Sequence, residues 1–462
     1  MVLSAAHEPT AQPSRRALLA LAAVIGLATS TAGFSQPASR GAPSPAEALV
    51  REALSTNPKL HAQAQRVEAA RQRVPQASAL PDPMADLRLT NISLSDPNLH
   101  DALTTGLELG IEQTLPGPGK RALAKEVANR EVAAESARYL ALERDVRRQV
   151  LDASYQYGLL QTLLKINEET AQAQRVVIDA ALASYSSGSG SQTDVLLAQS
   201  TLTKIGAERT DLASQREIAR ARLSNLLARP VSLSELEGLL PADEPAALPA
   251  LDGLLSSLPE GSAEVLRARA ESAVAGQRVA VAKKASAPDF LVGGAYRYKD
   301  MSMGGNNYLT ATVGITLPFF HRSDRYLPAQ NEALALHRGA MEEERSALDE
   351  ARFELSTAHR RASRDVELYR LYRDGLLVQA SQAYSAALSS YSTGRTGMVA
   401  VLNALALLYG SQAQLATTSA DYYQNVAAAE ALVGRSLEDF PSTAGAVVPA
   451  ADPKTPVQKE KE

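Results

Sequence analysis

No cysteine occurs among the 462 residues. Disulfides, thiolate metal sites and a lipidated N-terminal cysteine are therefore excluded. Tryptophan is absent too, and aromatic residues make up only 5% of the chain. Alanine, leucine, serine, glutamine and arginine dominate instead, a mix that suits long helices packed side by side better than a thick globular core. Neither sign of charge prevails, since 47 basic against 51 acidic residues give a net charge of -4. No basic block points to nucleic acid, and none is expected as a partner. Nucleophile elbow, phosphate-binding loop and HExxH helix are all missing, so neither an enzyme nor a cofactor is expected. His61, His100, His321, His337 and His359 are scattered without ligand spacing and read as surface or packing residues, leaving no metal site.

Long apolar runs are scarce as well. One stands near the N-terminus, where Arg15-Arg16 precede the run Ala17–Ala28 and the small residues Ser30-Thr31-Ala32 follow. A basic start, a short apolar run and a small-residue cleavage site predict a signal peptide over residues 1–32. The run is about a dozen residues, against the roughly 20 a spanning helix needs. No later segment reaches the length of a transmembrane helix, so membrane residence would require strands.

What is present is a repeat. Tyr185-Ser-Ser-Gly188-Ser-Gly190-Ser-Gln192-Thr193-Asp194-Val195-Leu196 returns as Tyr391-Ser-Thr-Gly394-Arg395-Thr396-Gly397-Met398-Val399-Ala400-Val401-Leu402, at a constant offset of 206. Each copy is a glycine-bearing break between two long helical patterns. Tyr139, Leu142, Val146, Val150, Ala153, Tyr157, Leu160 and Leu164 step by three or four, which predicts a helix from near Lys120 to Ser187, about 100 Å long. A second helix follows from Thr193 to Ala228. The second half predicts the same pair over Arg325–Thr393 and Val399–Leu437. Ahead of each pair stand two shorter helices and two strands. The helices fall at Pro45–Thr56 and Lys59–Ala79, then at Leu251–Ser257 and Ser262–Ala285. The strands fall at Met84–Ile92 and Leu103–Leu115, then at Phe290–Lys299 and Asn307–Phe319. Leu107, Leu109 and Ile111 alternate with Glu108, Gly110 and Glu112, and Leu309, Val313 and Ile315 with Thr310, Thr312 and Gly314. Period two gives each strand an oily face and a wet face. The chain thus divides into a linker (33–44), a first repeat (45–229), a Pro/Ala/acidic linker (230–249), a second repeat (250–440) and a disordered tail (441–462).

Strands of about ten residues can cross an outer membrane, but four cannot close a barrel. Open edges in lipid leave backbone groups unsatisfied, so several chains must share one barrel, and a homotrimer would supply twelve strands. The expected fold class is mainly α with a transmembrane β-barrel in outer-membrane lipid. The alternative of another class is a soluble coiled-coil or adaptor protein with two hairpins packed on helices.

The two tip stretches and the strand-to-helix junction Gln113-Thr-Leu-Pro116-Gly-Pro-Gly119-Lys120-Arg121 carry a resemblance to the TolC-like outer-membrane efflux proteins, over roughly Ser44–Leu437. The junction is similar to that of the subfamily serving cobalt–zinc–cadmium or copper efflux. The resemblance implies a trimeric barrel on a periplasmic helical tunnel. It further implies the exit duct of a tripartite pump, with a periplasmic adaptor and an inner-membrane RND-type transporter as partners. Multidrug efflux and type I secretion use ducts of the same kind.

The family's closed entrance rests on contacts between hairpin tips. By resemblance Tyr391 falls at a tip tyrosine, Asp194 at its acidic partner, and Thr193 at the hydroxyl that takes a tip arginine. The arginine's own position holds Thr396, with Arg395 one residue earlier, and Ala400 and Asn403 replace two acids that line the prototype's entrance. Tyr185 and Tyr391 alternatively serve only as helix-end packing residues. Gly188, Gly190, Gly394 and Gly397 permit the tip turns, where the family meets its adaptor. Glu108, Glu112, Thr310 and Thr312 should line the barrel lumen, either tuning cation passage or simply hydrated. Met301 and Met303, in the loop between the last two strands, have thioethers suited to Cu(I).

Overall fold

The computed structural model describes residues 44–90, 106–298 and 306–441. The expected signal peptide, most of the first linker, His100, Met301, Met303 and nearly all of the tail lie outside these residues.

Helix starts follow side-chain caps. Ser44 Oγ accepts the Glu47 amide at 3.3 Å and opens α1 (Pro45–Thr56), with proline in its first turn. Asn57 Oδ1 accepts the Lys59 amide at 2.9 Å and opens α2 (Pro58–Ser78). The same side chain donates through Nδ2 to Leu226 O at 3.0 Å, tying this corner to the end of a later helix. Strands β1 (Met84–Thr90) and β2 (Gly106–Leu115) follow. Next come the 67-residue α3 (Lys120–Ser186) and α4 (Gln192–Leu227). The second repeat runs α5 (Leu251–Gly261), α6 (Ala263–Lys284), β3 (Phe290–Tyr298), β4 (Tyr308–Ile315), α7 (Leu327–Arg370), α8 (Leu377–Ser392) and α9 (Met398–Val433).

The single helix expected over Arg325–Thr393 is interrupted. Wide π turns occupy Arg322–Tyr326 and Leu371–Leu376, the second joining α7 to α8 without breaking the rod. The repeat offset is 202 at the strand–helix junction (Leu115 to Leu317) and 206 at the tip (Tyr185 to Tyr391). The second repeat therefore carries extra residues along this rod, and wide turns are one way a helix takes them in.

Segment 230–249, expected as a linker, packs into the core. Val231, Leu236 and Leu239 are buried with Val150, Tyr157, Leu223 and Leu227. Arg220 holds its start through two bonds to Val231 O (3.1 and 3.0 Å), and Tyr422 Oη donates to Ala246 O at 3.0 Å near its end. Gly158 of α3 lets the strap approach, since a Cβ there would lie 2.6 Å from the Leu240 amide. Proline and acidic residues made the segment read as a loop, while three spaced aliphatic side chains anchor it.

One helix corrects the expectation about spans. α9 is long and apolar enough to cross a membrane by length and composition. It packs instead against α3, α7 and α8. Tyr422 and Tyr423 of this helix reach across to the strap and to Tyr155.

Candidate functional site

The four strands form one antiparallel sheet in the order β1-β2-β3-β4. Pairing registers set which side chains share a face. Leu87 stands opposite Leu109, Leu109 opposite Tyr296, and Tyr296 opposite Leu309. The same face continues through Leu89, Leu107 and Tyr298, and through Val292 and Val313. All of these are exposed, Leu309 at 85% and Val313 at 80%. Such a large contiguous apolar surface is not a water-facing one.

The opposite face is charged. Arg88 Nη2 donates to Glu112 at 2.8 Å and Arg88 Nε lies 2.6 Å from Asp86. Arg297 donates to Glu108 through Nε (3.2 Å) and Nη2 (3.0 Å), and Arg88 approaches the same carboxylate at 3.9 Å. Glu108 is 6% exposed. Glu108 and Glu112 share the polar face as expected, but they are not free acids on a wet wall. They belong to an ion-pair ladder across β1, β2 and β3. Thr310 is exposed and Thr312 half-buried on that same face. The arginines of the ladder were missed from sequence, although Asp86 and Arg88 alternate with Leu87 and Leu89 as the period required.

At the sheet's end, Asp289 organises the turn into α3. Its Oδ1 accepts the Gly117 amide at 2.7 Å and Lys120 Nζ at 2.8 Å, and its own amide donates to Thr316 Oγ1 at 2.7 Å. A Cβ on Gly117 would lie 2.2 Å from Pro288 O, so only glycine permits this approach.

At the far end of the helices, both tips turn in the same way. Gly188 N donates to Tyr185 O and Ser189 N to Ser184 O, each at 3.0 Å. Gly394 N and Arg395 N repeat these bonds to Tyr391 O and Ser390 O, each at 2.9 Å. Gly188 (φ 75°) and Gly394 (φ 71°) take the left-handed conformation that closes a helix. Gly190 is required by space, because its Cβ would meet Ser184 Oγ at 2.7 Å. Gly397 is not required. Its φ of −81° suits any residue, and the space around it is open.

Tyr391 is buried among Val177, Ala181, Val195, Met398 and Val401. Burial, and then the Asp194 carboxylate beside it, push its hydroxyl above the usual tyrosine range. Its Oη is buried without a hydrogen bond. Asp194 is half-buried, and Ser191 Oγ accepts its amide at 3.2 Å. Thr193 and Arg395 are exposed, and the structure does not join them. Tyr391 and Asp194 are thus brought together within one chain, and Thr193 and Arg395 are not. Among the described residues, no three His, Asp or Glu side chains converge as metal ligands. His61 and His359 bond to the carbonyls of Ser55 (3.0 Å) and Pro249 (2.8 Å).

A family model described as outer membrane efflux protein matches residues 49–229 and 254–435, the two repeats. The chain belongs to the outer membrane efflux protein family. That membership accounts for a sheet with an oily face on a helical body, and channels rather than enzymes make up the family and its structural neighbours. The fold is that of solved outer-membrane channels. The Vibrio cholerae outer membrane protein VceC is 19% identical, with a TM-score of 0.69, covering 85% of this chain and 96% of that one. The membrane channel CusC is 16% identical, with a TM-score of 0.70, covering 85% and 92%. The Neisseria gonorrhoeae outer membrane channel MtrE, solved in its open state, is 19% identical, with a TM-score of 0.63, covering 85% and 89%. No curated protein matches this efflux family member.

Proposed function

We propose that this protein is the passive exit duct of a tripartite RND-type efflux pump, three copies of which share one twelve-stranded barrel in the outer membrane. One observation carries the reading. The sheet is apolar along one face of all four strands, ends in two unpaired edges, and runs directly into a helix of 67 residues. Edges left open in lipid cost several kcal/mol per backbone group, which a ring of chains avoids. The helices form the periplasmic tunnel, and the tips at Gly188, Gly190, Gly394 and Gly397 meet an adaptor's helical hairpin. Tyr391 and Asp194 hold the entrance shut. An inner-membrane transporter supplies the energy.

The proposed cargo is heavy-metal cations, on the strength of the junction Gln113–Arg121. The sheet's polar face carries three acids (Asp86, Glu108, Glu112) against two arginines (Arg88, Arg297), a mild excess of the sign cations favour. A general multidrug or secretion duct is the second reading. The near-complete pairing of that ladder and the neutral Ala400 and Asn403 favour it, because such a wall selects little. A deletion strain exposed to Zn²⁺, Co²⁺, Cd²⁺, Cu⁺, silver and a set of drugs tests the choice. Sensitivity confined to metals supports the cation duct, and sensitivity to drugs and detergents replaces it with the general one. A protein absent from carbonate-resistant outer membranes would overturn both.

A further inference from the structure

Helix α3 packs on both α4 and α9, while α4 and α9 meet only slightly. Beyond the tip cluster around Tyr391 the three helices diverge and leave a cavity of about 290 Å³ between them. Its walls are mainly aliphatic, with Leu163 and Ile166 from α3, Ile205 and Leu212 from α4, and Leu402 and Leu405 from α9. The volume stands at the small end of ligand pockets, which run from roughly 300 Å³ upward.

Of the polar groups along these walls, all but the Tyr409 hydroxyl offer only acceptors. Asn167 donates Nδ2 to Ile205 O at 3.1 Å, and its Oδ1 is buried without a hydrogen bond. Thr170 Oγ1 donates to Ile166 O at 2.7 Å and Thr201 Oγ1 to Leu197 O at 3.0 Å, each within its own helix. Lone pairs are what both hydroxyls have left. Glu208 is the one charged residue of the lining and has no ion pair among the described residues. Asn167 is only 5% exposed. A buried acceptor without a partner is costly, and a donor brought in by a ligand removes that cost.

We propose that this cavity binds an amphipathic primary amine. The apolar body lies against the leucines, and the ammonium group lies among Glu208, Asn167 and the threonine oxygens. An ammonium group brings several N–H donors and a positive charge, which matches acceptors beside one carboxylate. A bare divalent cation matches less well, because it takes roughly six oxygen ligands and here meets aliphatic walls from three helices. An anion would face Glu208 and find no basic residue in the lining. All of the lining belongs to one chain, so the site goes beyond the duct reading and does not depend on it.

A glycine offers a way to close the cavity. Gly410 lines it, and a Cβ there would meet nothing within 4 Å. Gly410→Leu therefore fills open space, and leucine suits a helix better than glycine.

Calorimetric titration of the purified full chain in detergent with phenylbutylamine tests the site, with detergent alone as the reference. Saturable binding of one amine per chain is expected. The trimethylammonium analogue keeps the charge but has no N–H groups, and it should bind roughly tenfold more weakly. Glu208→Gln should weaken binding of the amine by roughly tenfold. Gly410→Leu should abolish binding while the thermal midpoint holds or rises. No saturable binding overturns the site. Equal affinity for the amine and its trimethyl analogue overturns recognition through acceptors. Undiminished binding in Glu208→Gln or in Gly410→Leu places the amine elsewhere and overturns this cavity as its site. Glu208 is exposed, so its substitution leaves the packing intact and decides the matter even where Gly410→Leu fails to fold.

Discussion

Tyr185 and Tyr391 close the same motif 206 residues apart, with the same turn bonds behind them, yet one is 50% exposed and the other 5%. The backbone of each tip is dictated locally, by glycine at positive φ and by the carbonyls two turns of sequence can reach. Side-chain burial is dictated by what stands alongside. Tyr391 finds α3 and α4 of the first repeat, with Asp194 beside its hydroxyl. The residue corresponding to Asp194 in the second repeat is Ala400, so Tyr185 has no such acid to meet. A repeated sequence therefore gives repeated turns but unequal surfaces, and the inequality marks which flank the chain satisfies itself.

The sharpest way to break the comparison is to truncate both tyrosines. Tyr391→Ala empties a packed cluster and should cost about 3 kcal/mol locally. Tyr185→Ala in the isolated chain should stay within about 0.5 kcal/mol. Hydrogen exchange at the two tips separates them, and equal losses would mean the tips are not distinct environments. In planar bilayers Tyr391→Ala should also raise single-channel conductance if this tip holds the entrance closed, whereas Tyr391→Phe alone should change stability little because the hydroxyl makes no hydrogen bond.

The helix ends that lead away from the tips differ by one residue. α4 closes on Ala228 at φ 56°, and α9 closes on the corresponding Gly434 at φ 76°. A left-handed alanine costs about 1 kcal/mol. Ala228→Gly should raise the thermal midpoint accordingly. Gly434→Ala should lower it by at least as much, because a Cβ there would lie 2.4 Å from the Arg144 guanidinium. A loss on Ala228→Gly would show that the two ends are not equivalent.

A smaller contrast lies within the turns. Gly190 corresponds to Thr396 and Gly397 to Ser191, whose side chain caps α4. Gly397→Ser should install the missing cap on α9 and stabilise by a few tenths of a kcal/mol. Gly190→Ala should destabilise by about 1 kcal/mol through its clash with Ser184. Thermal unfolding of the two variants reads opposite signs if the pairing of positions is right.

Much of this architecture is legible in the amino-acid sequence. Helix periods and strand alternation report local geometry, so the ends of α3, α4 and β2 fall within a few residues of expectation, and the oily face of the sheet lies where period two put it. A cap such as Ser44 acts within three residues and is readable for the same reason. Long-range facts were not readable. The close approach of Leu240 depends on Gly158 far along the chain, and the ladder at Glu108 depends on Arg297, on a strand of the other repeat. The proposed tip pair was legible only in part. The Asp194 carboxylate stands beside the buried Tyr391 hydroxyl, while Thr193 and Arg395 have side chains that the fold leaves in solvent.

The faintest difference between the repeats is electrostatic. Asp421 on α9 corresponds to Gln215 on α4. Burial, and then the neighbouring Asp365 carboxylate, hold the Asp421 pKa above the ordinary value, against the pull of Arg364. Asp365 itself is bound by Arg364 at 2.6 Å and by Asn425 Nδ2 at 3.0 Å, which leaves Asp421 as the carboxylate without a strong partner. A folded pKa above the unfolded one means that the native state takes up a proton first as pH falls. Stability from this group therefore rises as pH drops through the folded pKa towards the unfolded one near 4, and its charge is a standing cost at neutral pH. Asp421→Gln, which copies the first repeat, should stabilise the fold slightly at pH 7, read as a small rise in the thermal midpoint. The gain should shrink as the pH falls through the folded pKa, where the wild-type carboxylate takes up its proton. A gain that persists unchanged at low pH would assign the effect to packing of the longer side chain rather than to charge.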